Sequence, residues 1–355
     1  MMLSLFISNL IFSDALAGGL EPKTSVSYLP NRSLQRRLVL GKGWFEISLG
    51  STYKDAIGYW NPNGIELQSG GESLAYTPFD SASWLYTTQS MNFRYGLLNR
   101  AELYWNFTSH YVSLQNPKLG TDIDQFGVGD PEFGFKFELT SFDKAKHKKN
   151  PNKIKYSGSS SIIYTHYKAP LANESPGNYV GGPNTFSQFV LTTGTSDWSF
   201  GYAYKNIVTS TTSFDFDVQY KVRISGLALY AIETDNNQFS IRVKPGNELI
   251  AKAHVSTQAG PLFLSTGALF TLRGHTKIGN TVDGLVPSLQ LDEIESSDGW
   301  ALDSVSTAIL NLGQRYDLVG SVTVPIRGED LLFFPLESIH PTYGITYAGY
   351  LTARF

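Results

Sequence analysis

The sequence predicts an all-β fold: a transmembrane antiparallel β-barrel of about 14 strands, with 12 or 16 strands as the alternatives. First, apolar and polar residues alternate with the two-residue period of a strand in most segments after Lys42. Second, these segments run for about 10–14 residues, long enough for the 9–11 residues of a tilted spanning strand and longer than most soluble strands. Third, the chain ends in such a segment, and its last residue, Phe355, belongs to the apolar set.

The segment FGVGDPEFGFKFEL, residues 126–139, shows this alternation clearly. One face carries Phe133, Phe135, Phe137 and Leu139. The opposite face carries Glu132, Gly134, Lys136 and Glu138. A soluble β-sandwich would also alternate, but a lipid-facing outer wall and a wet inner wall account for both faces of a long strand. We therefore predict that the phenylalanines face lipid and that the charged residues face a lumen.

Charged residues also share one face of SFDFDVQYKVR, residues 213–223. They are Asp215, Asp217, Lys221 and Arg223. They form either a charged constriction that selects solutes, as rings of charge do in pores, or interior ion pairs that fill a narrow barrel, which is the favoured interpretation. The same two interpretations apply to the remaining lumen candidates, Glu102, Glu132, Lys136 and Glu138.

Fourteen segments carry the strand pattern, and short turns alternate with long loops rich in Asn, Gly, Pro, Asp and Ser between most of them, as in outer-membrane barrels. The segments are 42–55, 82–95, 101–114, 131–142, 154–167, 186–194, 198–208, 213–223, 227–234, 238–257, 262–274, 299–311, 315–327 and 341–355. The count depends on segment 238–257, which contains Pro245 and Gly246 and is taken as one kinked strand. The connection DKAKHKKNPN, residues 143–152, is long for the short-turn side.

The chain divides into three parts. Residues 1–17 resemble a secretory signal peptide, because an apolar run at residues 3–12 precedes the small residues Ala15 and Ala17. A short buried helix or strand is the alternative, since no Lys or Arg precedes the run. Residues 18–41 form an N-terminal extension and a candidate lumen plug, and residues 42–355 form the barrel.

The composition narrows the classes of function. Charged residues make up 17% of the chain and aromatic residues 14%, whereas soluble domains contain about 25% charged residues. A net charge of −3 supplies no basic field, so nucleic acid is not an expected partner. Because the chain has no cysteine, disulfides, thiolate metal sites and cysteine nucleophiles are excluded. No apolar run is long enough to predict a spanning helix.

Motifs for catalysis are weak, so we predict no enzyme activity, no cofactor and no metal site. The histidines form no H-E-x-x-H motif and no close pair. The string GVGDPE lacks the flanking strand and helix of a dinucleotide-binding loop. A hydrolase stays open as an alternative, because Ser109 adjoins His110 and because Ser338 and His340 lie beside Glu337.

The stretch YGLLNRAELYWNFTSHYVS, residues 95–113, followed by FGVGDPEFGFKFEL, resembles an outer-membrane family. The family is named after the meta-pathway of phenol degradation, and its members are placed near the long-chain fatty-acid transporters. The resemblance covers about residues 80–140 and rests on RYGL, a turn, R-x-E-L and then G-x-GD. The matching residues are Arg94, Tyr95, Gly96, Leu97, Arg100, Glu102, Leu103, Gly127, Gly129 and Asp130. The resemblance implies a barrel of about fourteen strands that carries hydrophobic or aromatic solutes.

These features together predict a protein of the bacterial outer membrane that acts as a channel or transporter for small solutes, hydrophobic or aromatic ones among them. The expected partners are outer-membrane lipid, lipopolysaccharide, the solute, and the barrel assembly machinery, which would bind the C-terminal strand that ends in Phe355. The alternative function is a non-transporting structural or surface barrel with a plugged lumen.

Overall fold

A computed structural model describes most of the chain after residue 31. The described residues are 32–61, 64–67, 83–116, 121–147, 150–170, 177–180, 185–186, 195–232, 237–279, 281–282, 286–287, 292–293, 298–329 and 343–355. Among them, no helix has the length and apolar character needed to cross a membrane.

Twelve strands of the described chain form one closed ring. They are β1 (Phe45–Asn61), β2 (Ser83–Leu98), β3 (Ala101–Asn116), β4 (Glu132–Thr140), β5 (Asn150–Lys168), β6 (Asp197–Ile207), β7 (Thr212–Arg223), β8 (Glu248–Ala259), β9 (Leu262–Arg273), β10 (Gly299–Leu312), β11 (Tyr316–Glu329) and β12 (Tyr343–Arg354). Each pairs antiparallel with the ring strands numbered before and after it. The ring closes where β12 pairs with β1.

Closure joins the first and last residues of the barrel. The Phe45 N–H donates to the Phe355 carbonyl at 3.0 Å, and the Phe355 N–H donates to the Phe45 carbonyl at 2.8 Å. A closed ring leaves no strand edge whose backbone groups would lie unpaired in lipid.

The ring contains twelve strands, so the prediction of about fourteen is wrong and the twelve-stranded alternative is correct. Segment 238–257 is two strands, because Pro245 has no N–H for the ladder and the chain changes sheets there. The strand before that break, Asn237–Lys244, pairs with Gly226–Ile232 in a separate sheet. Of the predicted strand 186–194, only residue 186 is described, and it also lies in that separate sheet.

Several strands lie outside the ring. The separate sheet has six of them: Gly177–Val180, Thr185–Phe186, Gly226–Ile232, Asn237–Lys244, Lys277–Gly279 and Asp292–Glu293. The remaining short strands are Thr281–Val282, which pairs with Val286–Pro287; Gly64–Leu67, which pairs with β1; Thr121–Val128, which pairs with β3; and Asp143–His147, which pairs with β5. A short 3-10 helix spans Ser33–Gln35.

The two ends of the ring differ in their connections. At one end, here called the short-turn end, strands are joined by residues 99–100, 208–211, 260–261 and 313–315. Gly260 (φ 59°) and Gly313 (φ 82°) adopt the left-handed conformation in two of these turns. The long connection 143–152 also lies here and is a hairpin, because Asp143–His147 continues the ladder with β5. The opposite end, the long-loop end, carries the separate sheet.

The outer wall is apolar. In β4, Phe137 is 39% exposed, whereas the next residue, Glu138, is fully buried inside the ring. Phe133, Phe135 and Leu139 are exposed in the same way as Phe137. This is the reverse of a soluble protein, in which exposed faces are polar and buried faces are apolar. The structure therefore places the phenylalanines of FGFKFEL outside and the charged residues inside.

Candidate functional site: the barrel lumen

The lumen is the candidate functional site, and its wall is polar. All eight lumen candidates lie on the inner wall: Glu102 of β3; Glu132, Lys136 and Glu138 of β4; and Asp215, Asp217, Lys221 and Arg223 of β7. They lie there because inward and outward positions alternate strictly along each strand.

The acids and the bases on the inner face of β7 have different partners. The Asp217 carboxylate accepts a hydrogen bond from the Tyr164 hydroxyl at 2.7 Å. Asp215 accepts hydrogen bonds from two serine hydroxyls. The bases Lys221 and Arg223 instead pair with Glu248 of β8, at 3.6 and 2.7 Å. The two acids and two bases of β7 are therefore separate groups.

A buried ion-pair network, here called the basal network, lines the lumen near the short-turn end. It consists of Glu46, Arg94, Glu102, Lys136, Asp317 and Arg354. Arg94 bridges two carboxylates, with Nη1 2.8 Å from Glu46 Oε1 and Nε 2.7 Å from Glu102 Oε1. Arg354 bridges Glu46 and Asp317 at 2.5 and 2.7 Å. Lys136 Nζ lies 3.2 Å from Glu102.

Sequence reasoning missed four members of this network: Glu46, Arg94, Asp317 and Arg354. The sequence did contain a signal for them, because each lies on the polar face of its strand. Glu46 meets Arg354 only through closure, because their strands, β1 and β12, are far apart in the sequence. The pairing itself therefore required the ring to be known.

The chain that precedes β1 enters the lumen at the short-turn end. These residues, 32–41, are here called the basal segment, and they are the described part of the predicted extension 18–41. Its backbone is held by side chains of distant strands. The Ser33 N–H donates to Asn311 Oδ1 at 3.0 Å, and the Ser33 carbonyl accepts from Lys205 Nζ at 2.9 Å. The Leu34 N–H donates to Gln258 Oε1 at 3.2 Å.

Charged and apolar contacts hold the rest of the basal segment. Arg36 pairs with Asp317 of the basal network, and Arg37 pairs with Glu138. Val39 packs in a buried cluster with Ile162 of β5 and Ala203 of β6.

The basal segment also touches the basal network directly. The Leu38 carbonyl accepts a hydrogen bond from Arg94 at 3.3 Å, and the Leu40 N–H donates to Glu102 at 2.7 Å. Together with the preceding contacts, these bonds reach strands from β2 to β11. The segment therefore crosses the lumen.

A cavity of about 320 Å³ lies beside the network. Its wall includes Ser48, Asn92, Arg94, Tyr104, Lys136 and Tyr350. In β1, Ser48 and Gly50 follow Glu46 away from the short-turn end, and their partners in β12 are Thr352 and Tyr350. The cavity therefore lies on the lumen side of the basal segment, toward the middle of the barrel.

Three inner-wall tyrosines lie against glycines of the neighbouring strand. Tyr104 covers Gly134, and Tyr164 covers Gly201. Tyr350 covers Gly50 in the same way. A Cβ atom at any of these glycines would overlap the tyrosine ring, so the small residue is what lets the ring lie against the wall. This arrangement keeps large side chains in the lumen without filling it.

A second charged cluster lies at the long-loop end. Glu248 accepts from Arg223 and Arg273 at 2.7 and 2.8 Å. Lys168 of β5 lies 3.4 Å from Asp130 and 3.0 Å from Asp197. The Glu248 group joins β7, β8 and β9, and the Lys168 group joins β5 and β6.

Of the candidate hydrolase residues, Ser109 and His110 do not form a site. His110 faces the lumen, where its Nδ1 contacts the Tyr86 hydroxyl at 2.5 Å and Thr88 Oγ1 at 3.1 Å. Ser109, its neighbour in β3, points to the opposite face by the alternation of a strand. The second grouping, Ser338 with His340 and Glu337, lies outside the described residues. Within the described residues, no cluster of three or more His, Asp or Glu side chains has the geometry of a metal site.

Comparison with solved structures finds channels and an autotransporter transport unit. The COG4313 outer membrane channel from Pseudomonas putida F1 has a TM-score of 0.56 and 12% identity, over 89% of this chain and 97% of that chain. A mutant of the TodX monoaromatic hydrocarbon channel has a TM-score of 0.40 and 9% identity, over 92% and 91%. The transport unit of the autotransporter AIDA-I from Escherichia coli also has a TM-score of 0.40 and 9% identity, over 93% and 99%.

These likenesses concern the fold. The P. putida F1 channel shares the barrel architecture along nearly its whole length, whereas TM-scores of 0.40 support no conclusion about this chain. No protein-family model matches the sequence. No curated protein matches it either.

Proposed function

We propose that this protein is a bacterial outer-membrane channel for small solutes, aromatic ones among them. The observation that carries the proposal is the closed ring with an apolar outer wall and a polar inner wall. A strand ring can lie in lipid only when it is closed, and a polar lumen gives solutes a path that avoids the lipid.

The outer membrane follows from the same architecture. Bacterial single-chain barrels have even strand numbers, short periplasmic turns and longer extracellular loops, and twelve ring strands with two unlike ends fit this pattern. The short-turn end then faces the periplasm. Residues 1–17 would direct export, and the strand ending in Phe355 would engage the assembly machinery. Lipid and lipopolysaccharide would contact the outer wall.

The comparison adds support from one solved structure. The P. putida F1 protein is described as an outer membrane channel and matches almost end to end. Membership of the meta-pathway phenol degradation family stays part of this proposal, because it rests on the RYGL hairpin and the G-x-GD strand of residues 94–130.

A second candidate function, a structural barrel with a plugged lumen, is favoured by one specific observation. The basal segment crosses the lumen and is held by buried partners on strands from β3 to β11. If it stays in place, it narrows the route at the periplasmic end.

Flux measurements separate the two functions. The first sample is wild-type protein refolded into liposomes, using only material whose unboiled gel band shifts on heating. The second is a variant in which a flexible Gly-Ser sequence replaces residues 32–40. A channel admits small solutes in the wild type and admits them faster in the variant. A plugged structural barrel shows no flux in the wild type, and that result would refute the channel proposal.

A further inference from the structure

The cavity on the lumen side of the basal segment has the features of a solute-binding site. Its volume of about 320 Å³ is at the lower end of the range for small-molecule pockets. That size suits a ligand with a single ring. The polar groups that reach it come from β1, β2, β3, β4 and β12, so the ring of strands holds them at fixed positions.

The cavity exposes cations and hides the carboxylates that pair with them. The side chains of Arg94 and Lys136 are 25% and 22% exposed. Their partners Glu46 and Glu102 are 5% and 0% exposed. A solute in the cavity therefore meets N–H donors, while the acids lie behind them in the wall.

The ion-paired residues beside the cavity include more bases than acids. With Arg36, the network has four bases, namely Arg36, Arg94, Lys136 and Arg354, and three acids, namely Glu46, Glu102 and Asp317. Four positive and three negative charges leave an excess of one positive charge.

Two aromatic rings complete the cavity wall. The Tyr104 hydroxyl lies 3.0 Å from His166 Nδ1, and the Tyr350 hydroxyl lies 3.2 Å from Thr52 Oγ1. Each hydroxyl has a partner in the wall, and both tyrosines line the cavity. Lys136 Nζ lies 4.9 Å from the centroid of the Tyr104 ring, so a cation and an aromatic ring adjoin.

We propose that this cavity binds a small aromatic carboxylate. The carboxylate would accept hydrogen bonds from Lys136 and Asn92, and the ring would pack against Tyr104 and Tyr350. This inference rests on the proposed channel function and names the class of solute that the channel would carry.

Binding of benzoate to the detergent-solubilised full chain, measured by calorimetry, tests the site. The Lys136→Gln variant is expected to bind benzoate about tenfold more weakly, because a hydrogen bond to a charged group is lost. Asn92→Leu is expected to weaken binding severalfold without touching an ion pair. Lys252→Gln is the matched control: it removes the same charge from the inner wall of β8, away from the cavity, and is expected to bind benzoate as the wild type does.

Two further ligands test separately the aromatic ring and the carboxylate of the proposed solute. Cyclohexanecarboxylate has the same charge without an aromatic ring and should bind about 3- to 10-fold more weakly. Phenol has the ring without the charge and should bind more weakly still. The proposal is overturned if phenol binds as tightly as benzoate, if Lys136→Gln binds as the wild type does, or if verified barrels show no saturable benzoate binding.

The two proposals can fail independently. Calorimetry in detergent requires a site but not an open pore. Benzoate binding without flux in liposomes would refute the channel and leave the site in place. Flux without benzoate binding would refute the site and leave the channel in place.

Discussion

Phe216 and Asp217 are neighbours in β7 that meet opposite environments. Phe216 points to the outer wall, and Asp217 points into the lumen, where Tyr164 donates to it. Because β7 spans Thr212–Arg223, Phe216 lies near the middle of the spanning strand. Two adjacent residues therefore face the lipid side and the lumen side of the wall.

A lysine at position 216 should therefore destabilise the folded barrel. We expect Phe216→Lys to lower the free energy of unfolding in lipid vesicles by about 2–4 kcal/mol, the cost of a cation near the bilayer midplane. Denaturant titration followed by tryptophan fluorescence measures the change. Gln219→Lys is the control on the inner wall of the same strand and should cost much less. Equal costs at both positions would contradict the assigned faces.

At the residue scale, the sequence predicted faces but not partners. Alternation alone placed Glu102, Lys136 and Glu138 on the inner wall. It could not show that Arg37 would pair with Glu138, because about a hundred residues separate them and the contact depends on how residues 32–41 cross the lumen. Nor could it show that Tyr104 lies over Gly134. The alternation within one strand does not show which residue of the neighbouring strand lies opposite.

At the scale of elements, the basal segment is held mainly by polar contacts to the wall. Glu138 is fully buried and pairs with Arg37, and Ser160 also donates to it. Removing one partner of such a pair is costly, because the other charge stays buried without compensation. The segment's position should therefore depend on single carboxylates.

Glu138→Gln should make the basal segment accessible to trypsin. We expect cleavage after Arg36 and Arg37 to become about tenfold faster or more, since a charge-assisted hydrogen bond is lost. Mass spectrometry of timed digests identifies the two sites. The control, Glu132→Gln, makes the same change on the inner wall of β4, where the described partner is Asn106. Cleavage at the wild-type rate in Glu138→Gln would show that this ion pair does not hold the segment.

Gly96 offers a steric test of the same element. A Cβ atom at Gly96 would overlap the backbone carbonyl of Gly41, at the end of the basal segment. Backbone cannot move aside as a side chain can, so Gly96→Ala should displace residues 39–41 and raise trypsin cleavage after Arg37. Gly320→Ala is the matched control, because a Cβ there meets open space. A Gly96→Ala protein as resistant as the wild type would argue against the placement of Gly41.

The formation of strands was predictable from the sequence, but their membership of the ring was not. Residues 227–234 carry β-strand residue types and form a strand, Gly226–Ile232, but its partner is the next hairpin arm and not the barrel. Period and propensity are the same for a strand in the membrane and a strand outside it. Pro245 marked the break between them. The predicted count was two too high because segments 186–194 and 227–234 were counted as ring strands.

At the scale of the whole molecule, the twelve-strand ring places residues 226–232 outside the bilayer. Because the chain has no cysteine, single cysteines can be introduced without background. Ala228→Cys and Leu229→Cys should both react with a membrane-impermeant maleimide in intact cells, whereas Val218→Cys on the outer wall of β7 should not. Protection of residues 228 and 229 would restore a fourteen-strand count.

The fold class and its membrane-facing pattern followed from the sequence, because long alternating segments that end in an apolar C-terminal strand are typical of membrane barrels and uncommon in soluble proteins. The site did not follow to the same extent. The alternation pattern placed its cations on the polar face of their strands. The ion pairs beside the cavity also involve Glu46, Arg354 and Asp317, which come together only when β11, β12 and β1 lie side by side.

The meeting of Phe45 with Phe355 also constrains assembly. The first ring strand cannot gain its second neighbour until residues 343–355 reach it, so the ring cannot close before both ends of the barrel are present. Bringing such distant ends together carries a loop-closure entropy that grows only slowly with length, so the delay is kinetic more than energetic. Until then the sheet has two open edges, whose unpaired backbone groups would be costly in lipid. Loss of even the last few residues should therefore leave an unsealed sheet.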